Sequence, residues 1–118
     1  MSALTVAFVG TLAYKFSVLL PIFQEHLEEQ EGEVLPHLFM AEIERWTERA
    51  VASGDTARRG QVQSLLDFLE TAYLTGEEEI EELISVSFLE HLPRPGESGA
   101  ELRSMTGPVL LQQLRIIG

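Results

Sequence analysis

The chain has 118 residues, 45% of them hydrophobic and 23% charged, and contains no cysteine. Such a chain forms one domain, residues 1–118, able to bury roughly two thirds of its unfolded surface. The missing thiols exclude a disulfide framework, a thiolate metal site and a cysteine nucleophile, and they fit a reducing, cytoplasmic compartment. Nineteen acidic residues against eight basic ones give a net charge of -11, and among the basic residues only Arg58 and Arg59 adjoin. That leaves no cationic footprint for nucleic acid and favours a partner with a basic surface; the plainer reading is that acidity keeps a small protein soluble.

The first helix is expected from Ala3 to about Tyr14, with Leu4, Phe8, Val9 and Leu12 on one face and Val6, Ala7 and Ala13 widening it, so the helix should be mostly buried. The apolar run from Ala3 to Phe23 lacks a basic leader, and Lys15, Gly10, Thr11, Tyr14 and Ser17 interrupt it, which argues against a signal peptide or a membrane span. A second helix starts near Ser17, with Pro21 in its first turn and Leu19, Leu20, Phe23 and Leu27 as its stripe. Its far end carries Glu25, Glu28, Glu29 and Glu31, where the helix dipole disfavours negative charge.

Gly32 ends that helix, and Pro36 opens the next as its first helical residue. Leu35, Phe39, Ile43, Trp46 and Ala50 line one face of this central helix, while Glu44, Arg45 and Glu48 point elsewhere. Ser53-Gly54-Asp55 separates it from a helix with Val62, Leu65, Leu66, Leu69 and Tyr73 inward and Asp67 and Glu70 on the polar side. Thr75 to Glu78 has capping-box spacing, and Glu77, Glu78 and Glu79 suit the positive end of the helix that follows. Ile80, Leu83, Ile84 and Phe88 form its stripe. Ser98 to Glu101 repeats the capping-box spacing before a short helix, and Gly107-Pro108 restarts the last one, which docks through Val109, Leu110, Leu114 and Ile117. No stretch alternates with period two, so the expected fold is all-α, a compact bundle of about six or seven short helices.

No catalytic constellation emerges. The histidines His26, His37 and His91 show neither a His-Glu-x-x-His motif nor paired Glu-x-x-His motifs. The nearest metal pairing, Glu33 with His37 and perhaps Glu29 or His26, is a weak signal beside a structural histidine at a helix start. Ser85 and Ser87 lack a nucleophile elbow, and no glycine-rich phosphate loop is present. No cofactor, metal or enzymatic activity is expected. The acidic clusters remain: Glu28, Glu29, Glu31 and Glu33 after Glu25, and Glu77, Glu78, Glu79, Glu81 and Glu82. Each is either a solvated helix end or part of one docking face for a basic partner.

The segment Glu33-x-Leu35-Pro36-His37-Leu38-x-Met40-x-Glu42-Ile43-x-Arg45-Trp46, followed by Leu65-Leu66-x-Phe68-Leu69-Glu70, Ser87-Phe88-Leu89-Glu90-x-Leu92 and Gly107-Pro108-x-Leu110, resembles a widespread family of small bacterial proteins. Their domain has no assigned biochemical function, and members often look like immunity partners of polymorphic toxins. The resemblance runs from about Phe16 onward. It implies a cytoplasmic helical protein that binds a cognate toxin and blocks its active site, and it brings no catalytic residues. Its matching positions read as core and helix-start residues, so toxin contacts are expected on surface such as the acidic clusters. The alternative reading is a helical adaptor or regulatory protein, without catalytic activity, that self-associates through an apolar face.

Overall fold

The computed structural model describes residues 2–118. Among them, seven α-helices and no strand follow one another: α1 (Ala3–Lys15), α2 (Leu20–Glu29), α3 (Pro36–Ala52), α4 (Thr56–Tyr73), α5 (Glu78–Ser87), α6 (Leu102–Met105) and α7 (Pro108–Ile117), with 3-10 turns at Ser17–Leu19 and Leu89–His91. Each break has a local cause. Gly54 takes a φ of 73°, a conformation that L side chains resist, and Asp55 then caps α4 by accepting from the Ala57 and Arg58 amides at 2.8 and 3.2 Å. Pro36 and Pro108 are the first residues of α3 and α7, where a missing N–H costs nothing.

Helix α3 is central: α1, α2, α4, α5 and α6 all pack against it. Phe39, Met40, Ile43, Ala50 and Val51 of α3 join Val9 and Leu12 of α1, Leu65 and Leu69 of α4 and Leu83 and Ile84 of α5 in one buried apolar cluster. Leu35 is half-buried at the α3 entry, and Trp46 packs against the cluster from its edge without being enclosed. No single helix among the described residues is long and apolar enough to cross a membrane, and the N-terminal apolar run is broken by a 108° bend between Ala3–Lys15 and Ser17–Glu29.

Several local expectations are not met. Helix α1 is only half sunk: Val9, Leu12 and Ala13 are buried, while Leu4 stands 42% exposed and Ala7, Thr11 and Tyr14 face outward. Thr75 does not cap α5; its hydroxyl donates back to the Ala72 carbonyl at 2.7 Å, closing α4 before Gly76 at φ 79° turns the chain. Glu77 takes the cap position of α5 without a side-chain bond, and Glu101, not Ser98, precedes α6. Ile117 stays exposed at the chain end while Leu110 and Leu114 anchor α7.

The start of α7 is capped from another helix. Glu70 of α4 accepts from the amides of Val109 and Leu110 at 2.8 and 2.9 Å, one carboxylate oxygen on each. A carboxylate there meets both unsatisfied amides and the positive end of the α7 dipole. It approaches so closely that a Cβ on Gly107 would lie 2.6 Å from the Glu70 carboxyl carbon. Only glycine fits.

Glu44, expected on the polar side of α3, is instead 1% exposed, and its Oε2 has no hydrogen-bond partner. Beside it, Gly99 comes against the Glu48 side chain, and α6 packs on α3. This face is therefore covered where periodicity alone leaves water. Burial, with the Glu48 carboxyl bonded beside it, pushes Glu44 up to about 9, against the opposing pull of Arg45.

Two outcomes follow for stability. Glu70→Ala is expected to cost about 1.5–3 kcal/mol in urea unfolding, since it strands two amides that now bond to a charged group. For Glu44, the unfolded chain releases its proton above the ordinary carboxyl value of 4.5, whereas the folded chain keeps it to about pH 9. Its contribution is therefore complete in acid and lost as pH rises through that window. Glu44→Gln should give thermal melts flatter across that range, with its Tm advantage over the parent growing toward alkaline pH.

Candidate functional site

Two surface depressions each gather more than one of the acidic residues selected from sequence. The larger of these two, about 490 Å³, lies where α3 begins beside the first turns of α1 and α5, and is lined by Leu35, Pro36, His37 and Leu38 together with Glu79 and Glu82. Its apolar floor follows from the loop before α3, which must present Leu35 in an extended conformation so that Pro36 can start the helix. Its rim is acidic because α5 opens on Glu78, Glu79 and Glu81, where the helix dipole favours carboxylates. His37 Nδ1 lies 2.5 Å from Ser87 Oγ, tying the first turn of α3 to the last residue of α5. This imidazole braces the two helices that form the groove.

Behind the floor stands His26, which is buried. The Leu35 amide donates to its Nε2 at 3.1 Å, so the ring proton sits on Nδ1 and is donated to Glu42 Oε1 at 2.8 Å. The ring also packs 5.4 Å from Phe39, centre to centre. One imidazole thus satisfies the extended loop amide and joins α2 to α3. Its hydrogen bonds and burial assign it to the frame, and no group of three or more His, Asp or Glu side chains among the described residues is placed to hold a metal.

The acidic residues do not all meet. Glu79 and Glu82 share the groove with the α3 entry, and Glu33 lies three residues before Pro36, within about 11 Å of it along the chain. Glu29 belongs to the smaller, polar depression of about 240 Å³, where Glu25 and Glu42 face Arg45 and Arg49. A mixed-sign surface results there. Glu28, Glu31, Glu77 and Glu78 are exposed, Glu81 is half-buried, and no ion pair within 4 Å engages any of these cluster glutamates among the described residues. Sequence reasoning missed Ser2 and Thr5, which reach the larger groove from α1. Their only signal was the serine cap, in which Ser2 Oγ accepts from the Thr5 amide at 3.2 Å.

The end of α2 is the least comfortable place in the acidic surface. The Gly32 amide donates to the Leu27 carbonyl at 2.7 Å, the bond of a Schellman turn, and Glu31 occupies the position inside it with φ at 54°. That position is ordinarily glycine or asparagine. Glu28 and Glu29 add negative charge at the same negative helix end. Glu31→Gly should therefore stabilise the fold by about 0.5–1 kcal/mol in chemical unfolding, the relief of the left-handed strain being partly offset by chain entropy.

No curated protein and no solved structure matches this chain significantly. Residues 11–116 match the model of a family described as a domain of unknown function (DUF7674), which takes in α2 to α7 and the end of α1. With the match covering nearly the whole chain, the protein belongs to this family, the DUF7674 domains of unknown function.

Proposed function

We propose that the protein is a stoichiometric inhibitor of the immunity type, which binds a cognate bacterial toxin domain in the cytoplasm through its acidic surface and occludes the toxin's active site. The observation that carries this reading is the placement of Glu28, Glu29 and Glu31. All three are exposed at a helix end that disfavours negative charge, Glu31 in a left-handed conformation, and none is paired within the chain among the described residues. Their position weakens the free protein. A cationic partner supplies the missing counter-charge and makes the cost useful as association speed and selectivity.

The groove at the α3 entry supports the same reading from the apolar side. Leu35, Pro36 and Leu38 offer contact area while Glu79 and Glu82 stand at its rim. Such a concavity suits a lysine or arginine whose aliphatic stem lies on the floor and whose charge meets a carboxylate. The chain contributes shape and charge to inhibition, and no chemical step.

Co-expression with the product of the gene immediately upstream should rescue a cell that this product kills, and the two proteins should copurify. Absence of both rescue and a complex overturns the reading. With the complex in hand, the triple variant Glu78→Gln, Glu79→Gln, Glu82→Gln should slow association at low ionic strength by on the order of tenfold, with the difference shrinking as salt screens the charges. Circular dichroism should show the helices unchanged.

A further inference from the structure

The outer side of α1 forms an apolar groove with the last turns of α4, about 560 Å³ in volume, in which Leu4, Ala7, Phe8, Phe68 and Ala72 supply most of the wall. In a chain of net charge -11, Glu77 is the only charged residue lining it among the described residues. Glu77 marks the end of the groove near Leu4. At the other end of α1, Lys15 places its Nζ over the Phe68 ring, 5.4 Å from the centroid. Eleven helical residues separate Leu4 from Lys15, or about 16 Å. The surface therefore presents a neutral apolar trough with a negative group at one end and a positive group at the other.

We propose that a second copy of this chain occupies the groove, the two α1 helices crossing antiparallel about a two-fold axis near Ala7 and Thr11. The two-fold reverses the direction of the partner helix, so Lys15 of each copy meets the other copy's Glu77, and both charges are matched twice. Parallel docking sets like charge against like. Away from this trough the general acidity holds two copies apart, which makes it the face where self-association meets least repulsion.

The footprint, about 20 × 20 Å per copy, is at the small end for a specific interface, so the dimer is reversible and concentration-dependent. The face combines Leu4, Ala7 and Phe8, which precede the family match, with Phe68, Ala72 and Glu77, which lie inside it.

Sedimentation equilibrium across micromolar to millimolar protein tests this. The parent chain should pass from monomer to dimer, and Ala7→Arg should remain monomeric with an unchanged circular dichroism melt, because Ala7 is exposed. Lys15→Glu should weaken dimerisation on the order of tenfold, and the double variant Lys15→Glu, Glu77→Lys should regain the affinity, a recovery that general damage to the fold does not produce. A parent that stays monomeric throughout, a dimer indifferent to Ala7→Arg, or a double variant no better than Lys15→Glu overturns the proposal. Flotation of the parent, but not of Ala7→Arg, with vesicles of equal phosphatidylcholine and phosphatidylglycerol also overturns it by assigning the face to lipid. The inhibitor reading is unaffected by any of these results, since its assay is rescue from the upstream gene product.

Discussion

Helix α3 enters the bundle at a point set by one imidazole. His26 receives the Leu35 amide on Nε2 and donates from Nδ1 to Glu42, so the last extended residue before Pro36 and the second turn of α3 are held to α2 together. A buried amide left without that acceptor costs on the order of 1–3 kcal/mol, and the extended loop has no ladder of its own to supply one. Because five other helices pack on α3, fixing its entry also fixes where the groove floor stands relative to α5. The brace between His37 and Ser87 then sets the groove's other wall. The shape of the groove depends on the frame behind it, and both histidines act through that frame.

The electrostatics divide into charges that serve the fold and charges that do not. Glu70 caps α7, Asp55 caps α4, and Glu78 and Glu79 stand where the α5 dipole favours them. These are locally consistent placements. Glu28, Glu29 and Glu31 contradict their helix end, and Glu44 is buried as a neutral acid beside Glu48. Local inconsistency of this kind concentrates at sites selected for something other than stability. Exposure separates the two cases: the end of α2 faces solvent and is open to a partner, whereas Glu44 is buried.

Much of the fold was legible because helices write their own punctuation. Pro36, Gly54 before Asp55, and Gly107 before Pro108 marked boundaries correctly, and the stripes through Phe39 and Ile43, Leu65 and Leu69, and Leu83 and Ile84 identified the core. Part of what failed was decided at long range. Glu44 falls on the polar side by periodicity, yet it is buried on a face against which α6 packs. Glu70 looked like a solvated polar residue until α7 returned, 39 residues later, to place its amides on the carboxylate. Thr75 had the right spacing for a cap and was claimed by the helix before it. The acidic residues of the candidate site were identified as exposed from their helical positions, but their grouping was not: Glu79 and Glu82 join the α3 entry, while Glu29 faces Arg45 and Arg49.

Helix α1 sharpens the same point from the apolar side. Its composition suggested a helix buried nearly all round, and inside the described chain there is simply not enough surface to cover it: α2 turns away at the 108° bend, and α3, α4 and α5 meet only the side carrying Val9, Leu12 and Ala13. The face left over carries no acidic residue, and its charge is confined to Lys15 at the far end of α1. The end of α2 is the opposite case, where Glu28, Glu29 and Glu31 crowd a helix terminus that disfavours them. Acid is absent where an apolar face lies open and abundant where the backbone field opposes it, so neither distribution follows from the stability of the monomer.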